Sequence, residues 1–247
     1  MTDSVTARVF ALLGAFSEHH RELRLADLSD RSGLPLSTTH RLAAELVRHG
    51  ALRRLPSGGY VIGRRLWDLG LLAPVQTGLR ETASPFLHDL YGATLETVHL
   101  AVRDGHETLY VDRLAGHRSV PIVSTIGSRL PMHATGVGKV LLAWAPPEVQ
   151  EAVLTAPLRR FTAYTITTPA RLRQQLAKVR TEGFATTAEE MSPGACSVAV
   201  PIIVHEQVVA ALAFVVPDLR RTRPRLVAAL QVAAQGIARS LVAPPSA

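Results

Sequence analysis

Hydrophobic residues recur at helical spacing through the first fifty residues and predict three helices. The first helix is marked by Val5, Val9, Leu12, Leu13 and Phe16 and is expected to end near residues 17–20. A short second helix is predicted over 25–32 and a third over 37–48, with Gly33 at a tight turn between them. Pro35 suits the first turn of the third helix, where its missing N–H costs no hydrogen bond. This succession predicts a helix-turn-helix.

The third helix separates into two chemically different faces. Thr39, Leu42, Ala43 and Leu46 share the side expected to pack inward. The outward residues are Ser37, Thr38, His40, Arg41, Ala44 and Arg48. Hydroxyls can bond to phosphates or base edges, arginine can read guanine with two hydrogen bonds, and a helix N-terminus attracts phosphate. We therefore predict a DNA recognition helix.

Two short β-rich runs, 51–55 and 60–63, flank the turn Pro56-Ser57-Gly58-Gly59 and predict a hairpin. A hairpin directly after a helix-turn-helix is a wing, and it would carry Arg53 and Arg54 to the DNA backbone. The alternative is a small helical domain whose third helix merely has a solvated face. The order of helices, glycine turn and basic hairpin favours the winged helix.

The rest of the chain predicts a linker and a second, larger domain. Residues 64–72 form an amphipathic pattern with Leu66, Leu69 and Leu72 on one stripe, which suits a linker helix that also serves in dimer contact. We expect a winged helix-turn-helix over 1–63, a linker helix over 64–80 and a second domain over 81–247.

Antiparallel hairpins and helices alternate in the second domain. Helices are predicted near 82–92, from 169 to about 182 and from 224 to 241, and hairpins at 97–111 and 198–216. The first hairpin turns at Asp104-Gly105, and the second is apolar on both faces. Hairpins with helices outside them predict an α+β domain with an antiparallel sheet.

Charge supports the assignment of the N-terminal part. The chain has 247 residues and a net charge of +7, and residues 1–65 hold ten arginines against six acids. The remaining residues carry a net charge of only +3, so positive charge is denser where phosphate contact is expected. Because only two of the 27 basic residues are lysine, a general preference for arginine is an alternative explanation. The single Cys196 and the absence of a signal-peptide pattern favour a cytoplasmic protein without membrane partners.

Four segments together resemble the IclR family of bacterial regulators. They are residues 33–42, 96–102 and 127–139, and the pair Glu189-Glu190 followed by Gly194. The resemblance implies a winged helix, a linker helix and a GAF-like effector-binding domain, assembled as a homodimer or a dimer of dimers. It also implies a repressor or activator of transcription, with double-stranded operator DNA and a small-molecule effector as partners.

The family's effector pocket, transferred by motif, implies a set of binding residues. They are Leu130, Met132, Gly136, Val137, Glu189, Ala195, Cys196, Ser197, Ala213 and Val215. Backbone N–H groups where a glycine-containing turn opens a helix favour an anionic group of the ligand. Members that bind small oxo-acids tend to have a cysteine on the first strand and serines on the second. Here Ser197 aligns with that cysteine, Cys196 precedes it, and Ala213 and Val215 replace the serines.

Without these serine hydroxyls, the pocket has fewer hydrogen-bond donors for a compact acid, and its wall is more apolar. We therefore expect an effector larger or less polar than a two- or three-carbon acid: an aromatic or largely apolar acid. Glu189 and Glu190 either line the pocket mouth or cap a loop. Cys196 is either a small buried apolar residue or a redox sensor.

Enzymatic chemistry finds little support in the sequence. The run from Thr135 to Lys139 resembles a phosphate-binding loop, but His133 and Val140 stand where glycine and a hydroxyl residue are required. The histidines lack metal-ligand spacing, so no metal, cofactor or catalytic residue is expected. Two alternatives to an effector-controlled regulator stay open: a DNA-binding oligomer whose second domain binds no effector, and an enzyme with a helix-turn-helix appendage.

Overall fold

The computed structural model describes residues 4–17, 20–71, 77–116, 120 and 122–242. The chain divides into two compact units, Met1–Val75 and Gln76–Ala247. Within the described residues, no helix is both long enough and apolar enough to cross a bilayer.

The N-terminal unit contains the predicted helices and hairpin. Its elements are α1 (Val5–Leu13), α2 (Leu25–Ser32), α3 (Leu36–Arg48), β1 (Leu52–Arg54), β2 (Tyr60–Ile62) and α4 (Arg64–Leu71). Leu12, Leu28 and Leu42 form the centre of its core, each at most 1% exposed. Helix α1 ends at Leu13, earlier than expected, because Gly14 caps it. The predicted helix-turn-helix with a hairpin is confirmed.

The turn between α2 and α3 is stabilised by hydroxyl groups. Gly33 has φ 68°, the left-handed conformation that its position predicted. The Ser29 hydroxyl donates to the Leu34 carbonyl at 2.7 Å, and the Thr39 hydroxyl donates to the Pro35 carbonyl at 3.1 Å. Pro35 precedes the first turn instead of lying in it, with ψ 142°. The prediction was wrong by one position, because the Pro35 carbonyl accepts the first helical hydrogen bond, from Thr39 N.

The predicted linker helix over 64–80 is described only in part. Helix α4 covers Arg64–Leu71, and the next helix begins at Thr77. Residues 72–76, including Leu72 of the predicted stripe, lie outside the described residues. Trp67 and Leu69 are 59% and 55% exposed, so α4 shows an uncovered apolar surface within its own unit.

The C-terminal unit is an α+β domain, as predicted. Its elements are α5 (Thr77–Thr94), β3 (Thr97–Asp104), β4 (Glu107–Leu114), β5 (Arg129–Pro131), α6 (Gly136–Ala143), α7 (Pro147–Thr155), α8 (Pro169–Glu182), β6 (Ala185–Ala188), β7 (Cys196–Val204), β8 (Gln207–Val216) and α9 (Arg223–Val242). Six strands form an antiparallel sheet in the order β5-β4-β3-β8-β7-β6. The two predicted hairpins are β3–β4 and β7–β8 and lie at its centre.

The two faces of this sheet differ in side-chain size. One face carries large residues, such as Leu100, Leu212 and Phe214, which belong to the core that includes α5 and α9. The other face is rich in alanine and belongs to the core that includes α6. The alanines are Ala101, Ala199, Ala211 and Ala213. Because an alanine methyl is short, α6 can pack close to the sheet, and its N-terminus comes near the strands.

Candidate functional site

The outward face of α3 is exposed as its spacing predicted. Ser37, His40, Arg41, Ala44 and Arg48 are exposed and Thr38 is half-buried, whereas Thr39, Leu42 and Ala43 are buried and Leu46 is half-buried. The side chains of Arg41 and Arg48 make no ion pair or hydrogen bond with other described residues. Two guanidinium groups are therefore available to an external anion or base.

The N-terminus of α3 adds backbone donors to this face. Pro35 has no side-chain donor or acceptor to cap the helix, and the first N–H groups of a helix have no partner within it. Leu36, a residue not anticipated from the sequence, is 54% exposed at this end. The arrangement suits phosphate contact at the helix end and base contact along the adjacent turns.

The two arginines of the hairpin are in different environments. The Arg54 guanidinium lies 5.8 Å from the Tyr60 ring centroid, a cation–π contact that restrains it. Arg53 is exposed and has no ion pair within the described part of the chain. At the turn, the Ser57 hydroxyl donates to the Glu22 carboxylate at 2.7 Å.

A cavity lies in the C-terminal unit, on the alanine-rich side of the sheet at the N-terminus of α6. Seven residues of the expected effector set line it: Leu130, Gly136, Val137, Ala195, Ser197, Ala213 and Val215. Its volume is about 50 Å³, which restricts it to a small ligand.

Two uncharged polar side chains, His99 on β3 and Tyr110 on β4, line the cavity. His99 Nε2 lies 3.1 Å from Ser124 Oγ, and the His99 ring meets the Tyr110 ring edge-on with centroids 5.0 Å apart. Burial, aided by the positive charge of Arg113, lowers the pKa of His99 to about 3. Burial also raises the pKa of Tyr110 far above its usual value, and a hydrogen bond with Thr135 only partly offsets this increase. Both side chains are therefore uncharged at neutral pH.

The N-terminus of α6 forms another wall of the cavity. The Thr135 hydroxyl accepts a hydrogen bond from Gly138 N at 3.1 Å and caps the helix. A Cβ on Gly136 would lie 2.5 Å from Ser197 Oγ, so only glycine lets the helix backbone come this close. Ser197 Oγ is in turn 2.6 Å from Thr187 Oγ1. Backbone amides and hydroxyls thus meet at one place, as binding of a carboxylate requires.

Three residues of the expected effector set lie outside this cavity. Cys196 packs against the core on the opposite face of the sheet, because neighbouring residues of a strand alternate and Ser197 faces the cavity. Met132 is 1% exposed in the core beside α6. Glu189 accepts a hydrogen bond from Gly194 N at 2.9 Å, so it caps its loop and does not line the cavity.

Glu190 has a different role from its neighbour. Its Oε1 accepts a hydrogen bond from Lys139 Nζ at 2.6 Å, and Lys139 Nζ also donates to Gln175 Oε1 at 2.7 Å. The Lys139 side chain is 0% exposed, and Glu190 Oε2 has no partner among the described residues. Burial raises the pKa of Glu190, and the Lys139 ammonium opposes that shift. The pair ties α6 to the loop that contributes Met191 to the cavity wall.

Comparison with known proteins agrees with this architecture. The model of the IclR helix-turn-helix domain matches residues 5–56, and the model of the bacterial transcriptional regulator IclR C-terminal domain matches residues 73–239. The chain belongs to the IclR family of transcriptional regulators. The resemblance and the DNA-binding regulatory function predicted from the sequence are confirmed.

Individual IclR-family members are similar over most of the chain. The HTH-type transcriptional regulator XynR of Escherichia coli (strain K12) is 38% identical over 213 residues, 83% of this chain and 82% of that protein. The transcriptional repressor IclR of the same strain is 31% identical over 224 residues, 89% and 82% of the two chains. A crystal structure of an IclR homolog from Microbacterium hydrocarbonoxydans complexed with 4-hydroxybenzoate matches with a TM-score of 0.91 and 36% identity, covering 96% of this chain and 99% of that one.

Several cavity residues of this IclR-family chain were missed from the sequence. They are His99, Tyr110, Ile122, Val123, Ser124, Ala134, Thr135, Thr187, Met191 and Ser192. Thr135 was detectable, since a threonine before a glycine-initiated helix is an N-cap signal. His99 was detectable as a polar residue within an apolar strand. Ser124 and Thr187 gave no signal, because only strand pairing and loop packing bring them to the cavity.

Proposed function

We propose that this IclR-family regulator is controlled by a single-ring aromatic, or largely apolar, monocarboxylic acid bound in the cavity at the N-terminus of α6. The observation that carries the proposal is the cavity itself: an apolar floor at Ala213 and Val215, with uncharged donors near Gly136. Helix N-terminal amides attract the carboxylate, and the small apolar floor accommodates a ring. The 4-hydroxybenzoate bound by the Microbacterium homolog, 36% identical, supports an effector of this size.

On DNA, we propose that α3 enters the major groove and reads bases through Arg41 and Arg48. The α3 N-terminus and Arg53 would contact phosphates, and a homodimer or dimer of dimers would place two copies of α3 on successive half-sites. The exposed apolar residues of α4 and the family membership support self-association. The division into a DNA-binding domain over 1–63, a linker over 64–80 and an effector domain over 81–247 belongs to the same proposal, although its boundary at 80 falls within α5.

Control by the effector requires that it bind two conformations of the protein with different affinity. Couplings of this kind amount to about 1–3 kcal/mol, or a change in DNA affinity of about 5- to 150-fold. The direction of the change follows from which conformation the acid favours.

The test measures DNA affinity with and without candidate acids. Fluorescence anisotropy measures the affinity for the DNA next to the protein's own gene and for a scrambled duplex. The protein should bind the first duplex more tightly than the second. Benzoate or 4-hydroxybenzoate should change that affinity by at least about fivefold, and pyruvate and glyoxylate should not. A response to pyruvate alone would contradict the aromatic assignment. No response to any of these acids would favour the second candidate, an oligomeric DNA-binding protein without an effector.

A substitution tests the reading face separately. Arg41→Ala should weaken specific binding by about 1–3 kcal/mol, because it removes a base contact. Arg173→Ala, which removes a guanidinium exposed in the C-terminal unit, is the matched control and should leave binding unchanged. Equal affinity of the two variants would mean that α3 is not the reading helix.

A further inference from the structure

The alanine-rich face of the sheet separates two polar ends of the cavity, one at the start of α6 and the other at His99 on β3. Ala199 on β7 pairs with Ala213 on β8, and Ala213 pairs with His99 on β3, so the three residues form one row across the sheet. A Cβ on Gly136 would lie 3.4 Å from the Ala199 methyl, which places the start of α6 over one end of this row. His99 is at the other end of the row, and its backbone lies two strand spacings, or about 9.6 Å, from that of Ala199.

Between these two ends, the row contains only the methyl group of Ala213. Ala213 is the middle residue, and with Val215 it forms an apolar floor. A carboxylate near Gly136 would therefore extend an apolar body over β8 toward β3. A single aromatic ring with a polar group at each end suits this order of polar, apolar and polar walls.

The polar group at the β3 end can both donate and accept a hydrogen bond. A neutral imidazole has one donor nitrogen and one acceptor nitrogen, and a serine hydroxyl rotates to complement either. His99 and Ser124 are 3% and 4% exposed, so a charged ligand group here would lose its hydration next to uncharged partners. A ligand hydroxyl, which also donates and accepts, is the matching neutral group.

We infer that the effector carries a neutral hydroxyl at the end opposite its carboxylate, and that Ser124, oriented by His99, binds this hydroxyl. This inference rests on the proposed function, since it presumes that an aromatic acid occupies the cavity. Ser124 is the specificity-determining contact, and His99 is a positioning residue that acts through it. Ser197 lies at the other end, beside Gly136, and serves the carboxylate.

The experiment is a double-mutant cycle between the ligand hydroxyl and Ser124, measured by calorimetry on the full chain. Benzoate, 4-hydroxybenzoate and 3-hydroxybenzoate are titrated into the wild type, Ser124→Ala and Ser197→Ala. The wild type should bind 4-hydroxybenzoate about tenfold more tightly than benzoate, as one well-placed hydrogen bond allows. The meta isomer should bind like benzoate, because its hydroxyl points away from β3.

The variants locate the effect at one end of the cavity. Ser124→Ala should reduce the preference for 4-hydroxybenzoate to less than about threefold and keep the affinity for benzoate, which also shows that the variant is folded. His99→Gln should reduce the preference partly. Ser197→Ala is the matched control. It should weaken the binding of all three acids by a similar factor and keep the preference for 4-hydroxybenzoate over benzoate.

The outcomes separate this inference from the proposed function. Benzoate binding without preference for the para-hydroxyl, or a preference that survives Ser124→Ala, overturns the inference and leaves the proposed function standing. If none of the three acids binds or changes DNA affinity, both are wrong. Tighter binding of the meta isomer would show that the hydroxyl contact lies elsewhere in the cavity.

Discussion

Replacing Lys139 with methionine tests whether the buried ion pair beneath the cavity loop holds the C-terminal unit together. Methionine keeps most of the aliphatic stem, so little volume is lost, but the ammonium that contacts Glu190 at 2.6 Å and Gln175 at 2.7 Å disappears. The Glu190 carboxylate, whose Oε2 has no hydrogen-bond partner among the described residues, is then buried with only the weaker positive influence of Arg171. Breaking such a pair costs about 3–5 kcal/mol, a large share of the roughly 5–15 kcal/mol that stabilises a domain.

The assay must report on the C-terminal unit alone, because unfolding of a two-domain chain is not one transition. The chain has two tryptophans, Trp67 on α4 and Trp144 at the end of α6. In a Trp67→Phe background, the fluorescence of Trp144 during urea unfolding follows the relevant unit. The free energy of unfolding is then compared between Lys139→Met and its parent.

Two further variants serve as controls for the effect of Lys139→Met on the free energy of unfolding. Arg173→Met breaks the Arg173–Glu151 pair, whose side chains are 53% and 61% exposed, and should cost less than about 1 kcal/mol. The double variant Lys139→Met, Glu190→Leu removes both buried charges and should recover most of the lost stability. The reasoning is refuted if Lys139→Met costs no more than Arg173→Met, or if the double variant is less stable than the single one.

Other variants test the wing, the helix terminus and the buried histidine. Arg53→Ala should lower the slope of log affinity against log salt by about one, since one phosphate contact releases about one counterion; an unchanged slope in anisotropy titrations would mean that Arg53 touches no phosphate. Gly136→Ala should destabilise the C-terminal unit by about 1–3 kcal/mol in thermal or urea unfolding, because its methyl would meet Ser197 Oγ at 2.5 Å; wild-type stability would show that α6 can move away freely. Because the pKa of His99 is lowered to about 3 in the folded chain, the unfolded chain takes up the proton first as the pH falls below about 6.5. Stability is therefore full above that pH and is lost as the pH decreases toward 3, so His99→Gln should reduce the loss between pH 7 and 5 by about 2 kcal/mol. A pH dependence identical to that of the wild type would show that His99 is not buried as a neutral group.

Local patterns predicted α3 and its exposed face well. The inward and outward faces of α3 and the positive φ of Gly33 follow from helical periodicity and from the steric freedom of glycine. The hairpins β3–β4 and β7–β8 followed from β-rich runs around turn residues. Helix α6 was expected only as a helix opened by a glycine-containing turn, without bounds, because all its residues are buried and no polar face reveals its period.

The expected effector set includes residues on both faces of β7, and only one of these faces lines the cavity. Transfer by motif included both Cys196 and Ser197, and a register error of one residue exchanges the two faces of the sheet. The pairing of Ser197 with Val215 and Thr187 settles which residue faces α6. Only Glu189 was placed in the set, and both glutamates were expected to line the pocket mouth or cap a loop; Glu189 caps its loop, whereas Glu190 forms a buried ion pair.

The amino-acid sequence by itself determined the family, the order of the elements and the exposed surface of α3, because each of these depends on residues within a few positions of one another. Tertiary structure alone decided the cavity, where His99, Gly136 and Ser197 meet from distant parts of the chain. It also decided the partner of Lys139, a residue that looked like part of a phosphate loop and instead neutralises Glu190. Strand pairing and the packing of α6 on alanines create these neighbours, and such long-range contacts leave no periodic trace in the sequence.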